Sequence, residues 1–342
     1  MYQVVIEKSN KKQKMKKVEL PSIDISALTT NDTRKRTVAD ELIEAFEEIG
    51  FAVLVGHGIE NKRLSEMREL LINVFSIPDS VKEELSISRS NYRGYIPFGF
   101  FSPNEKKIFE KTKNDLYEGF KLHWECPKEH PVKNECKLYG SNKWVKEVEN
   151  MEETLLSYWE DCDLLTSILL SHLAIALGVK PDILLDFFNE PLTNMTLLHY
   201  PVSSTESQRS GIHPHKDISA ITILHPDPLG GLEIQTRKGE WLEIFCPPDA
   251  LLVNIGDLME VWSGGRFIST PHRVLNRNQA SRYSAPYFSV PRYSTLVKSL
   301  VEYENNFEPR EILVGEVSAE VWRTNWPDQI SLQSSYQLGS IN

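Results

Sequence analysis

Apolar residues recur at helical spacing in two early stretches, Val38 to Ile49 and Leu64 to Phe75, and over a much greater length from Met151 to about Leu177. Leu164, Leu165, Ile168, Leu169, Leu173 and Ile175 make the third stretch apolar enough to predict a central helix that supports a sheet, rather than a surface helix. Val18 to Ser26 alternates apolar and polar residues like a half-buried strand, and Phe51-Ala-Val-Leu-Val55, closed by Gly56 and Gly58, reads as a short buried one. Past residue 194 the pattern shortens. Ala220 to Leu224, Leu232 to Thr236, Trp241 to Phe245, Ala250 to Ile255 and Tyr283 to Val290 are strand-like runs between Gly, Pro, Asn and Asp turns, which predicts a sandwich or small barrel. Residues 87 to 148, including Tyr92-Arg-Gly-Tyr-Ile-Pro-Phe-Gly-Phe100, show little period and read as long loops of the kind that frame a site.

Composition narrows the class. A chain of 342 residues with 40% hydrophobic and 25% charged residues is globular and long enough to bury a sizeable core without disulfides or metals. Acidic residues outnumber basic ones 48 to 38, so a phosphate backbone is repelled on average and nucleic acid is a poor partner. Only the tail through Lys17 runs the other way, with Lys8, Lys11, Lys12, Lys14, Lys16 and Lys17, and it reads as a flexible, solvated arm. No apolar run approaches a membrane span and no signal peptide is visible, so the expectation is a cytoplasmic protein with no membrane partner. Cys126, Cys136, Cys162 and Cys246 are widely spaced and are expected to be reduced thiols, not a metal site.

The chemistry gathers in a few short motifs. In Gly211-Ile-His-Pro-His-Lys-Asp217, an extended chain projects His215 and Asp217 to one face, and a second imidazole, His272, follows after enough strands to return across a small barrel. Two His and one carboxylate can occupy one face of a metal and leave the opposite face open, as suits Fe(II) oxygen chemistry; zinc hydrolases use a similar set with a water and a general base. His213 is the rival ligand, since a continued strand puts it on the same face. Arg282-Tyr-Ser284 lies further on. Its guanidinium and hydroxyl share a face and suit a carboxylate.

With these residues in view, the chain from about Leu20 to about Pro291 resembles the iron(II)/2-oxoglutarate-dependent oxygenases of the isopenicillin N synthase-like superfamily. The resemblance runs through Leu20-Pro-Ser-Ile-Asp-Ile-Ser26, Gly50-Phe-Ala-Val-Leu-Val-Gly-His-Gly-Ile59, Gly230-Gly-Leu-Glu-Ile234, Gly239-Glu-Trp241, Val253-Asn-Ile-Gly-Asp257, Trp262-Ser-Gly-Gly265 and His272-Arg-Val274. It implies an α+β fold: a distorted double-stranded β-helix, or jelly-roll, core with a helical N-terminal region and a long supporting helix. The implied division is a basic tail (1–17), an N-terminal α/β region (18–150), the core with its supporting helix (151–300) and a C-terminal segment (301–342) that is a candidate lid.

The resemblance further implies Fe(II) on His215, Asp217 and His272, and 2-oxoglutarate with its far carboxylate at Arg282 and Ser284, helped by Tyr200 of Leu197-Leu-His-Tyr-Pro201. With O2 as the second cosubstrate, the implied reaction oxidises a small molecule and releases succinate and CO2. Hydroxylation is the first outcome, desaturation or cyclisation the others. The alternatives are a 2-oxoglutarate-independent iron oxidase of the isopenicillin N synthase or aminocyclopropane-carboxylate oxidase type, and a non-catalytic small-molecule sensor.

Some positions depart from the pattern. Lys216 stands between the ligands where a small hydroxyl residue is usual, and should point away from the metal; Ile218 and Ser219 follow in place of the common residues. Thr196 replaces an arginine often found four positions before the motif tyrosine. Asp115-Leu-Tyr-Glu118-Gly-Phe120 resembles a segment bordering the entrance, but Lys121 and His123 occupy positions commonly acidic and Gly, which changes the charge of the rim. Tyr95, Phe98, Phe100, His213 and Phe288 are the candidates for substrate contact. His57, His123, His199 and His225 read as structural, and Asp257 as a turn carboxylate near the site.

Overall fold

The short apolar runs of the C-terminal half become two facing sheets, and the periodic N-terminal segments become the helices that back one of them. The structure is a computed structural model and describes residues 3–6, 16–20, 22–30, 32–101, 115–202, 210–276, 280–304, 306–324 and 326. Strands β1 (Gln3–Ile6), β2 (Lys16–Glu19) and β3 (Ser22–Asp24) lead into helix α1 (Lys35–Glu48), β4 (Phe51–Val55), α2 (Asn61–Ser76) and α3 (Asp79–Glu84). Next come β5 (Gly94–Ile96), β6 (Glu118–His123), α4 (Val132–Glu135), the long α5 (Met151–Ala176) and α6 (Pro181–Leu185). The core strands are β7 (Asn194–Tyr200), β8 (Ser210–His215), β9 (Ile221–Leu224), β10 (Leu232–Gln235), β11 (Trp241–Phe245) and β12 (Leu251–Ile255). After α7 (Asp257–Trp262) follow β13 (His272–Leu275), β14 (Arg282–Ser284), β15 (Tyr287–Ser289), the small pair β16 (Leu296–Val297) and β17 (Ile312–Leu313), and α8 (Val314–Thr324).

The smaller sheet runs β1-β2-β11-β10-β13-β8, and the larger β3-β4-β12-β9-β15-β7-β6-β5, with β14 also on β7. Alternation along the strands sorts their side chains into two cores. Leu232, Ile234, Leu242, Ile244 and Val274 of the smaller sheet meet Phe51, Val53, Leu198, Tyr200 and Leu252 of the larger in the space between them. The other face of the larger sheet, with Met195, Leu197, Ile221, Ile223 and Val253, packs against α1, α2 and α5. In α5 the buried stripe Leu155, Tyr158, Cys162, Leu165, Leu169 and Leu173 returns at helical spacing, each leucine contributing about 1.5–3 kcal/mol. This is the jelly-roll arrangement with helical support.

Several expectations change. The strand expected over Val18 to Ser26 is divided between β2 and β3, with Pro21 in the sequence between them, and Ile25 to Thr29 turns into a 3-10 helix capped by Asp24. The solvated arm falls mostly outside the described residues, yet its described parts, β1 and β2, are strands that pair with each other and join β11. The expected loops of residues 87 to 148 contain β5 and β6, and β6 pairs along its whole length with β7. Tyr283 to Val290 is two strands separated at Ala285-Pro286, because proline lacks the N–H that a ladder needs. Helix α5 does back the sheet, but Leu164 and Ile175 are exposed, so it is one-sided instead of central. Of the candidate lid, α8 is described and residues 327–342 lie outside the described set.

Candidate metal centre

Strands β8 and β13 are antiparallel neighbours, and their register sets His215 opposite His272. The ring centroids are 4.3 Å apart. Asp217, two residues past the end of β8, brings Oδ1 to 3.7 Å from His215 Nε2 and 3.5 Å from His272 Nε2; the three donor atoms all lie within 4.8 Å of one another. His215 Nδ1 is 2.8 Å from the His213 carbonyl and His272 Nδ1 3.1 Å from the Thr270 carbonyl. A carbonyl only accepts, so each Nδ1 carries a hydrogen and each Nε2 faces the common point, where giving up any proton it shares with Asp217 frees its lone pair for a metal.

Asp217 is braced on its far side. Thr222 Oγ1 and Asn254 Nδ2 both donate to its Oδ2 at 2.8 Å, which leaves Oδ1 for the centre. Burial alone would raise the carboxyl's pKa; the charge of His272 and its hydrogen bond, then His215, outweigh it and hold the group well below the usual carboxylate range. The same pairing raises His272 against the lowering effect of its own burial. Neither Thr222 nor Asn254 stood out in the sequence. The available signal was one polar residue inside an otherwise apolar strand, as in Leu251-Leu-Val-Asn-Ile255.

Lys216 turns away from the centre as expected, its Nζ 3.3 Å from Glu260 and 3.9 Å from Asp257. Asp257 opens α7, and its backbone N–H donates to the Asp217 carbonyl at 2.8 Å. His213 does not join the cluster: Asp115 Oδ1 accepts from its backbone N–H at 2.9 Å and meets its Nδ1 at 2.5 Å.

The second half of the site is a buried guanidinium. Arg282 on β14 pairs with Tyr200 on β7, its Nε donates to the Gly230 carbonyl at 2.8 Å, its Nη1 is 3.3 Å from Ser284 Oγ, and its charge lies 4.9 Å from the Tyr200 ring centroid. Among the described residues no carboxylate pairs with Arg282, although its side chain is almost fully buried. A buried guanidinium without a counter-charge is a ready receptor for a carboxylate. Tyr200 links this pocket to the metal strand, for a Cβ on Gly211 of β8 would lie 2.7 Å from the tyrosine ring. Only glycine lets the two surfaces approach so closely.

Two family models match: the 2OG-Fe(II) oxygenase superfamily over residues 192–291, and the N-terminal region of non-haem dioxygenases in morphine synthesis over residues 20–147. The 2-oxoglutarate-dependent dioxygenase thnC of Trichoderma harzianum is 30% identical over 278 residues, 79% of this chain and 84% of its own. The chain belongs to the 2OG-Fe(II) oxygenase superfamily. A 2OG-Fe(II) oxygenase family protein from Caulobacter crescentus superposes with a TM-score of 0.75 at 28% identity, covering 89% of this chain and 98% of that one. A full-length Neurospora crassa protein, solved in complex with alpha-KG, gives 0.76 at 22% identity over 93% and 100%, a likeness of fold. The protein is an oxidoreductase whose cofactors are Fe(II) and 2-oxoglutarate, and the cluster of His215, Asp217 and His272 together with Arg282, which has no carboxylate partner among the described residues, fits both.

In this oxygenase the substrate candidates separate. Phe288 lies on the inner face, where its ring is 5.4 Å from Lys121 Nζ. Tyr95 is behind the sheet, its hydroxyl donating to Glu118 at 2.6 Å within a cluster that includes Lys82 and His199. Phe98 is exposed, and Phe100 packs edge-on against Trp326. His57, His199 and His225 make structural hydrogen bonds, and His123 is buried against Trp322 of α8. Among the described residues no helix is long and apolar enough to cross a membrane.

Proposed function

We propose that His215, Asp217 and His272 hold the iron of a cytoplasmic oxygenase that oxidises a small molecule, and that Arg282 and Ser284, with Tyr200, hold the far carboxylate of 2-oxoglutarate. The observation that carries this reading is the pairing of two features: three donor atoms within 4.8 Å of one another, and a buried guanidinium that has no carboxylate partner among the described residues. When bound, iron and 2-oxoglutarate would activate dioxygen, the oxidant, with two electrons drawn from 2-oxoglutarate as it becomes succinate and CO2 and two from the substrate. The chain's own work is to aim and to exclude water. The carbonyls of His213 and Thr270 fix both imidazole tautomers, and Thr222 and Asn254 fix the carboxylate rotamer. Two His and one carboxylate on one side of a metal leave the other side for cosubstrate, dioxygen and substrate. The apolar layer of Val53, Leu198, Leu232, Leu252 and Val274 keeps bulk water from the space between the sheets.

Anaerobic addition of Fe(II) and 2-oxoglutarate to the apo-protein tests this directly. A visible charge-transfer band that needs both, followed by succinate formation on admitting air, is the expected result. Metal-independent binding of 2-oxoglutarate, or turnover indifferent to it, would overturn the assignment.

A further inference from the structure

On the inner face of the larger sheet one ammonium has no carboxylate within ion-pair distance among the described residues, although the charge of Asp217 reaches it across that face. Lys121 sits in β6 opposite Thr196 of β7. Its sequence neighbours Phe120 and Leu122 belong to the apolar core behind the sheet, so alternation sends Lys121 to the inner side. Its Nζ donates to Asn194 Oδ1 at 2.5 Å and to Thr196 Oγ1 at 2.9 Å, and stands 5.4 Å from the Phe288 ring centroid. All three partners are neutral. Among the described residues no carboxylate lies within ion-pair distance, whereas Lys82, behind the same sheet, is paired with both Glu118 and Asp79. An ammonium has three donors, and two are engaged here.

The sheet register ties this cation to the metal centre. Asn194 faces Phe288, Phe288 faces Thr222, and Thr222 faces Asn254, across β7, β15, β9 and β12. Directly paired residues share a face, so these four form one row, and Thr222 and Asn254 are the two residues that brace Asp217. In β6 the residue in register with Asn194 is His123, and Lys121, two residues before it on the same face, reaches the row by its hydrogen bond to Asn194. Strands lie about 4.8 Å apart, so the step from β7 to β9 is roughly 10 Å, the length of a small organic acid.

Resting on the oxygenase reading above, we infer that Lys121 is a specificity-determining residue for substrate: it anchors a carboxylate, with Asn194 beside it and Phe288 against the apolar body, so that a carbon some 5–10 Å from the carboxylate meets the metal. The favoured substrate is thus a small carboxylic acid. A carboxylate replaces the solvation that the half-buried ammonium has lost, which a neutral carbonyl does only in part. A phosphate would call for more donors than one ammonium and one amide provide.

The test uses the full-length enzyme loaded anaerobically with Fe(II) and 2-oxoglutarate, and matched pairs of small aliphatic and aromatic carboxylic acids and their primary amides. Acids should perturb the visible band at concentrations about tenfold or more below those of their amides, and should stimulate succinate release correspondingly in air. Lys121→Met should abolish that preference by raising the acid's half-saturating concentration, and Lys121→Arg should keep it. A band that responds to no acid, that responds equally to acids and amides in the wild type, or that keeps the acid preference in Lys121→Met overturns the anchor. Absence of any band in the wild type overturns the oxygenase reading instead, so the two failures are told apart.

Discussion

The two ends of the inner face are built on different terms. At the metal end the polar atoms facing away from the centre are held: both Nδ1 atoms by carbonyls, and Asp217 Oδ2 by a hydroxyl and an amide. At the β6–β7 end an ammonium rests on neutral groups, with no acid within ion-pair distance among the described residues. Chemistry common to a whole family needs one fixed geometry, which second-layer hydrogen bonds supply. Choice among substrates needs an unmet demand that one ligand satisfies better than its competitors.

The strongest break in this contrast is removal of a ligand. His272→Ala should abolish the band and reduce turnover to background, because the two remaining donors cannot form the facial set. Substantial iron-dependent turnover in this variant would show that the triad is not the site. Next comes Arg282→Ala. Each charge-assisted hydrogen bond is worth about 1.5–3 kcal/mol, so the 2-oxoglutarate concentration for half-maximal rate should rise by roughly ten- to a hundredfold, with the rate at saturation far less affected. An unchanged concentration dependence of succinate formation would count against the pocket. Asn254→Leu follows; it removes one of the two donors on Asp217 Oδ2 while nearly conserving volume. Iron affinity, read by titrating the band, should fall about 10–100-fold. No change would mean that Thr222 alone suffices.

These residues differ in how visibly the chain announces them. His215-x-Asp217 and Arg282-x-Ser284 were readable because alternation over two residues is local, and so were the three longest helices, α1, α2 and α5, and most core strands. Strand β6 was not, since Glu118, Lys121 and His123 interrupt its apolar pattern, and each is explained only by partners far along the chain: His199, Thr196 and Trp322. Thr222 and Asn254 were hidden for the same reason, and so was the Asp115 that takes His213 out of the ligand set. Burial misled in the other direction at α5, where apolar content alone could not reveal that Leu164 and Ile175 face out.

The smallest expected effect sharpens the point most. Lys216 lies between the two proposed metal ligands His215 and Asp217 in sequence, whereas Asn254 is remote from both, yet proximity along the chain should predict the wrong order. Lys216 points to Glu260 on the outer side, and Glu260 keeps a second cation, Arg310 Nη2 at 2.9 Å, when the lysine is removed. Loss of a partly exposed ion pair whose acid stays paired is worth at most about 1 kcal/mol. Lys216→Ala should therefore leave iron titration and 2-oxoglutarate dependence within a few-fold of the wild type. A loss as large as that of Asn254→Leu would mean that the backbone between His215 and Asp217 is held from outside by the Lys216–Glu260 pair, and the bracing of the carboxylate would then belong to both faces of the strand.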